Sequence, residues 1–169
     1  YCSRYILPIL SKRAQIICTH SKKIRPENFD KKKNITRFTF QEFTKKENLM
    51  EGVTHIINSI PPVKGDDVVY RFLRSLKSEY LKRLKWFCYL SSTSVYGNHY
   101  GKWVNEESVI KPKTSRGKNR RDVENLFLKS FHEHEIPIHI FRLPGIYGPG
   151  RSAFDKLIKN NKLVVRKKN

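Results

Sequence analysis

The sequence predicts an α/β fold built on a doubly wound, mostly parallel sheet. Two observations point there. Short runs enriched in β-branched and aromatic residues recur at 15–19, 35–40, 53–58, 85–91 and 137–143, with a weaker one at 162–166. Between them lie stretches of helical length, at 3–12, 66–82 and 120–134. At 169 residues the chain is about one domain long, enough to bury a sizeable core.

Each element has its own reason. Residues 66–82 place Val69, Phe72, Leu73, Leu76, Tyr80 and Leu81 on one helical stripe, and 120–134 repeats the device with Val123, Leu126, Phe127 and Phe131. Strands alternating with helices of this length read as βαβ units, whose successive strands run parallel. The leading helix, 3–12, has no strand before it, which is unusual for such a fold. No internal repeat, low-complexity segment or linker interrupts the pattern.

Composition narrows the function classes. No segment approaches the roughly 18 apolar residues of a membrane span, and the start lacks the pattern of a signal peptide. Cys2, Cys18 and Cys88 are an odd number at wide spacing, two of them inside apolar runs. They read as buried free thiols of a reducing, cytoplasmic compartment rather than as disulfides or metal ligands. Lys and Arg number 35 against 15 Asp and Glu, a formal net charge of +20. Such a charge favours non-specific association with nucleic acid. The basic residues are scattered, however, and no recognition-helix, zinc-finger or RNA-binding pattern accompanies them. Nucleic-acid association therefore ranks third among the functional readings.

Ligands of open α/β sheets bind beyond the carboxyl ends of the strands, so those ends carry the functional information. Three are chemically loaded. Run 53–58 leads into Ser59, Ile60, Pro61 and Pro62, where the prolines force an extended exit. Run 85–91 stops in four successive hydroxyls, Ser91, Ser92, Thr93 and Ser94, followed by Val95, Tyr96 and Gly97. Run 137–143 leads into Pro144, Gly145, Ile146, Tyr147, Gly148, Pro149, Gly150 and Arg151, residues suited to sharp turns and close backbone approach. Taken singly, the hydroxyls could cap a turn and the glycine-proline run could be a tight loop. Three loaded ends in one sheet favour a shared cleft.

The segments YLSSTSVYG and FRLPGIYGPGR, in that order and separated by a helix, resemble the extended short-chain dehydrogenase/reductase superfamily, in its NAD(P)-dependent epimerase/dehydratase group. The SIPP turn, the stretch from Trp103 to Glu107, the segment from Ser115 to Arg120 and the run YGPGRSAFDKL bring the resemblance closest to the atypical YeeZ-like bacterial branch. It covers nearly the whole chain. It implies a single NAD(P)-binding, Rossmann-like domain whose first strand and glycine-rich turn would precede Tyr1, with a substrate lobe beyond Asn169. It also implies an oxidoreductase or epimerase-like protein acting on a small molecule of the sugar-nucleotide kind.

The resemblance assigns roles residue by residue. Ser92 takes the place of the hydroxyl that bonds the substrate beside the nicotinamide, with Thr93, Tyr147 and Arg151 as substrate contacts. Ser59, Ile60, Pro61, Pro144 and Gly145 line the cofactor. His20, Ser21, Lys22 and Lys23 follow the run that reads the adenosine ribose, where the absence of a carboxylate favours NADP over NAD. One departure bears on activity. Where the family places a proton-shuttling tyrosine and, four residues on, a lysine, this chain has Arg116 and Arg120. Arginine stays protonated and cannot act as a general acid or base, although it can clamp a phosphate or carboxylate. Proton transfer would then fall to Tyr96 or Tyr147. The alternative is a cofactor-binding regulatory protein without dehydrogenase turnover.

Overall fold

The computed structural model describes residues 2–21, 34–152 and 155. Helix α1 (Cys2–Leu10) is followed by strands β1 (Ile16–His20) and β2 (Ile35–Thr39), then by the short helix α2 (Phe40–Thr44) and a 3-10 turn at Glu47–Met50. Strand β3 (His55–Asn58), helices α3 (Val68–Ser75) and α4 (Ser78–Lys82), and strand β4 (Trp86–Ser92) come next. A 3-10 turn at Thr93–Val95, the long helix α5 (Ser115–His134) and strand β5 (Ile138–Leu143) complete the described elements. The weak run at 162–166 lies outside the described residues.

Every strand pair among the described residues is parallel, as the alternating pattern predicts. β1 pairs with β2, and β3, β4 and β5 form a three-stranded sheet in that order. The core lies on the face of this sheet turned toward α3 and α5. Phe87 and Tyr89, spaced by two on β4, are fully buried and pack against Phe127, with ring centroids 4.9 and 5.0 Å apart. Val69, Phe72 and Leu73 of α3, with Val123 of α5, close the cluster. On the opposite face Phe141 remains 45% and Ile57 39% exposed.

Two helix boundaries differ from the sequence pattern. The stripe at 66–82 is two helices, because Leu76 adopts extended backbone (φ −76°, ψ 151°) and drops into the core. The Lys77 amide then donates to the Glu47 carboxylate at 3.2 Å instead of continuing the helix. Helix α5 begins at Ser115, earlier than the apolar stripe. Thr114 caps it, its hydroxyl accepting from the Gly117 amide at 3.1 Å.

Asp67 links the exit of β3 to the start of α3. Its carboxylate accepts from the amides of Val69 and Tyr70, both at 2.9 Å, and from the Asn58 side-chain amide at 3.1 and 3.0 Å. Asn58 in turn accepts from the Ile60 amide at 3.0 Å, which shapes the turn before the prolines. Burial raises the Asp67 carboxyl above its ordinary range, against the pull of these hydrogen bonds. An acid whose folded pKa is raised stabilises the fold most below its unfolded pKa, and that contribution is lost as pH rises through the folded value. Asp67→Asn is therefore expected to unfold within about 1 kcal/mol of the parent at neutral pH and to flatten the stability–pH slope above pH ~4. Asp67→Ala, losing cap and Asn58 partner together, should cost about 2–3 kcal/mol in urea denaturation.

Candidate functional site

The strand ends fall on one edge of the sheet. In the parallel register Asn58 faces Tyr89, Ser91 faces Arg142 and Ser92 faces Leu143. The turn at Ser59, the hydroxyl turn and the loop opening at Pro144 therefore leave neighbouring strands, spaced roughly 4.8 Å apart, toward the same end of the sheet, with Ser92 three residues beyond the position of β4 that faces Asn58. This is the placement a ligand cleft needs.

The four hydroxyls have separate environments. Ser91 is 4% exposed and donates a short hydrogen bond of 2.5 Å to Glu124 of α5. Ser92, half-buried, accepts from the Ser94 amide at 3.2 Å and so caps the 3-10 turn. Accepting leaves its O–H able to donate. Thr93 and Ser94 are also half-buried, and the Thr93 carbonyl accepts from the Tyr96 amide at 3.1 Å. Gly117 lets the first turn of α5 abut this segment. A Cβ there would lie 2.6 Å from the Ser94 carbonyl oxygen.

The two arginines diverge. Arg116 is exposed on the first turn of α5. Arg120 turns inward. It donates to the Tyr89 hydroxyl at 3.2 Å and to the Leu90 carbonyl at 2.5 Å, beyond the point where β3 has stopped pairing with β4. Burial pushes the Tyr89 hydroxyl up to about 12, so it remains a proton-bearing partner at any ordinary pH. Tyr96 is 6% exposed, and its hydroxyl accepts from Arg142 at 3.0 Å. Tyr147 is the reverse case, 73% exposed with its ring against Gly145, where a Cβ would meet the ring at 3.0 Å.

The remaining positions line the loops. Ser59, Pro61, Pro144, Gly145 and Arg151 are exposed, and Ile60 packs partly against the core. Reciprocal backbone hydrogen bonds of 3.2 and 2.9 Å between Gly148 and Arg151 close the glycine-proline loop. His20 ends β1, its Nδ1 2.9 Å from the Ser21 carbonyl, while Lys22 and Lys23 lie outside the described residues. Glu42 stands in the first turn of α2, just past the end of β2. Its bonds to Thr39 hold its carboxyl below the ordinary range, with smaller downward pulls from His20 and Lys46. A carboxylate thus lies within electrostatic reach of His20, outside the segment in which the sequence shows none.

Sequence reasoning also missed Glu124 and Arg142. Glu124 is 1% exposed and Arg142 reaches it with Nη2 at 3.0 Å and Nε at 3.1 Å. A signal existed in the periodicity. Glu124 sits on the buried side of α5 beside Val123 and Phe127, and Arg142 shares the alternate register of Ile138 and Ile140. One carboxylate and one guanidinium, each at an apolar position, are a matched pair.

No protein-family model and no curated protein matches the chain. Solved structures do. A functionally unknown conserved protein from Silicibacter pomeroyi is 32% identical over 93% of this chain and 54% of its own length, with a TM-score of 0.76. UDP-glucuronic acid 4-epimerase from Bacillus cereus, in complex with NAD and UDP-4-deoxy-4-fluoro-glucuronic acid, is 20% identical with a TM-score of 0.74. It covers 95% of this chain and 60% of that one. The chain has the Rossmann-like fold of this epimerase. dTDP-glucose 4,6-dehydratase from Bacillus anthracis, in complex with NAD, shares it at 15% identity and a TM-score of 0.70, over 93% of this chain and 55% of that one. The chain therefore spans little more than half the length of these proteins, and the strand ends of the shared fold are where its hydroxyl and glycine-proline loops lie.

Proposed function

We propose that this chain is the dinucleotide-binding part of an NAD(P)-dependent oxidoreductase or epimerase-like protein of the extended short-chain dehydrogenase/reductase superfamily, in its YeeZ-like branch. The observation that carries this reading is the common edge of β3, β4 and β5, where the Ser59 turn, the Ser92 hydroxyl turn and the Pro144 loop meet. In this reading the single domain binds the cofactor, and a lobe beyond it completes the site for a small molecule of the sugar-nucleotide kind. Backbone at Ser59, Ile60, Pro61, Pro144 and Gly145 lines the cofactor, and Ser92 donates a hydrogen bond to the substrate. Bound nicotinamide dinucleotide would supply hydride exchange, while this chain's own residues orient it and exclude water.

A second reading is favoured by a specific observation. Arg120 is committed to Tyr89 and Leu90, and neither it nor Arg116 can trade a proton. A protein that binds cofactor as a sensing or structural ligand, without dehydrogenase turnover, accounts for that. The two readings part in a turnover screen against sugar nucleotides, run alongside cofactor titrations.

The titration carries a prediction of its own. NADPH is expected to bind more tightly than NADH, through the basic residues after β1. Equal dissociation constants by nucleotide fluorescence, or an unchanged NADPH affinity in a Lys22→Ala, Lys23→Ala variant, would contradict this.

A further inference from the structure

We propose that Glu124 and Arg142 are positioning residues for the strand-end site, a single buried ion pair that fixes the hydroxyl turn and the 98–110 loop against α5 and β5. The inference rests on the cofactor reading above. Every nitrogen of the Arg142 guanidinium is engaged. Nε and Nη2 donate to Glu124 at 3.1 and 3.0 Å, and Nη1 donates to the Tyr96 hydroxyl at 3.0 Å and the Glu106 carbonyl at 3.3 Å. Its Cζ also lies 5.0 Å from the centre of the Tyr96 ring. Glu124, for its part, holds the Ser91 hydroxyl. Bonds from one pair therefore reach the end of β4, the residue that closes the turn capped by Ser92, and the loop bearing the fully exposed Trp103.

Stability alone does not explain the pair. Desolvation cancels much of the attraction between buried ions, and apolar residues of similar volume are often equally stable in their place. Positions beside it on both elements are apolar, Val123 and Phe127 on α5 and Ile140 on β5. An apolar pair would fill the volume but aim nothing. A guanidinium fork fixes its acceptors in one plane, and the partners of the pair flank Ser92 in sequence on both sides, Ser91 through Glu124 and Tyr96 through Arg142. The pair sets where that hydroxyl points.

The test is the double variant Glu124→Gln, Arg142→Met, read by amide hydrogen exchange and by NADH titration. Exchange at 92–97 and 104–108 is expected to accelerate at least tenfold more than at residues 87–89, whose change should match the loss in global stability, and NADH should bind at least tenfold more weakly. Unchanged exchange in those two segments, uniform acceleration throughout, or unaltered NADH affinity despite local acceleration each overturns the proposal. Should the double variant not fold, Arg142→Lys serves. It keeps a charge opposite Glu124 but lacks the fork, so the same two segments should lose protection, and full protection there overturns the proposal. Failure of the parent protein to bind either dinucleotide contradicts the cofactor reading by itself. The exchange pattern then still decides whether the pair holds the turn.

Discussion

Arg142→Met is expected to cost about 3–5 kcal/mol of folding stability, among the largest effects of any single substitution in this chain. The substitution removes the guanidinium and leaves the Glu124 carboxylate buried at 1% exposure with only the Ser91 hydroxyl beside it. A buried charge without a counter-ion has no inexpensive alternative except to take up a proton, so the loss should shrink as pH is lowered. Glu124→Gln is the gentler partner experiment, since a neutral amide keeps an oxygen for both Ser91 and Arg142. In the double variant both charges are gone, and stability should return to within about 2 kcal/mol of the parent. Urea denaturation of the parent, the two single variants and the double variant yields the coupling directly. Additive single effects would show that the two side chains act independently, contrary to the hydrogen bonds that join them.

Gly97→Ala is the second large effect. Gly97 has φ +73°, a region that costs an alanine about 1–2 kcal/mol. A Cβ there would also lie 1.9 Å from the Lys111 carbonyl oxygen, so the backbones at Gly97 and Lys111 must separate. That separation breaks the bond from the Lys111 amide to the Tyr96 carbonyl, 3.2 Å long, which pins the base of the 98–110 loop. Strain and displacement together should cost about 2–4 kcal/mol. Gly101→Ala is the control. Its φ of +79° is equally left-handed, but nothing lies within 4 Å of the added atom. It should lose only about 1–2 kcal/mol, from the backbone term alone. Similar losses for both variants by thermal or urea denaturation would show that the close approach at Gly97 does not matter.

The parts of this fold that were legible in the sequence are those in which local pattern and burial agree. The run ending in Leu90 and the hydroxyls is a buried central strand, and its parallel neighbours on both sides are the runs that the alternation of elements predicts. The start of α5 was not legible, because Arg116, Gly117, Lys118 and Asn119 carry no apolar stripe and include a poor helix former. Only the Thr114 cap and the packing of Gly117 on Ser94 explain that turn. The break at Leu76 was hidden for the opposite reason. The apolar spacing continues unbroken through it, while the backbone gives up the helix to bury one leucine. In the site, residue type drew attention to all four hydroxyls, and the family resemblance to both arginines. Tertiary contacts then sorted them. Ser91 and Arg120 bond inward, to Glu124 and to Tyr89 with Leu90, whereas Arg116 stays at the surface and Ser92 sits between the two environments.

The central claim is that a nicotinamide dinucleotide lies across the carboxyl ends of β3, β4 and β5. Amide chemical-shift mapping with NADPH tests it most directly. The account predicts that shifts concentrate at Ser59 and Ile60, at Ser92, Thr93 and Ser94, and at Gly145 and Ile146, and that they saturate together with one dissociation constant. Shifts confined to scattered lysine-bearing surface segments such as Lys45 and Lys46, growing without saturation and vanishing at high salt, would mean that NADPH meets only the positive surface of the protein, and would contradict it.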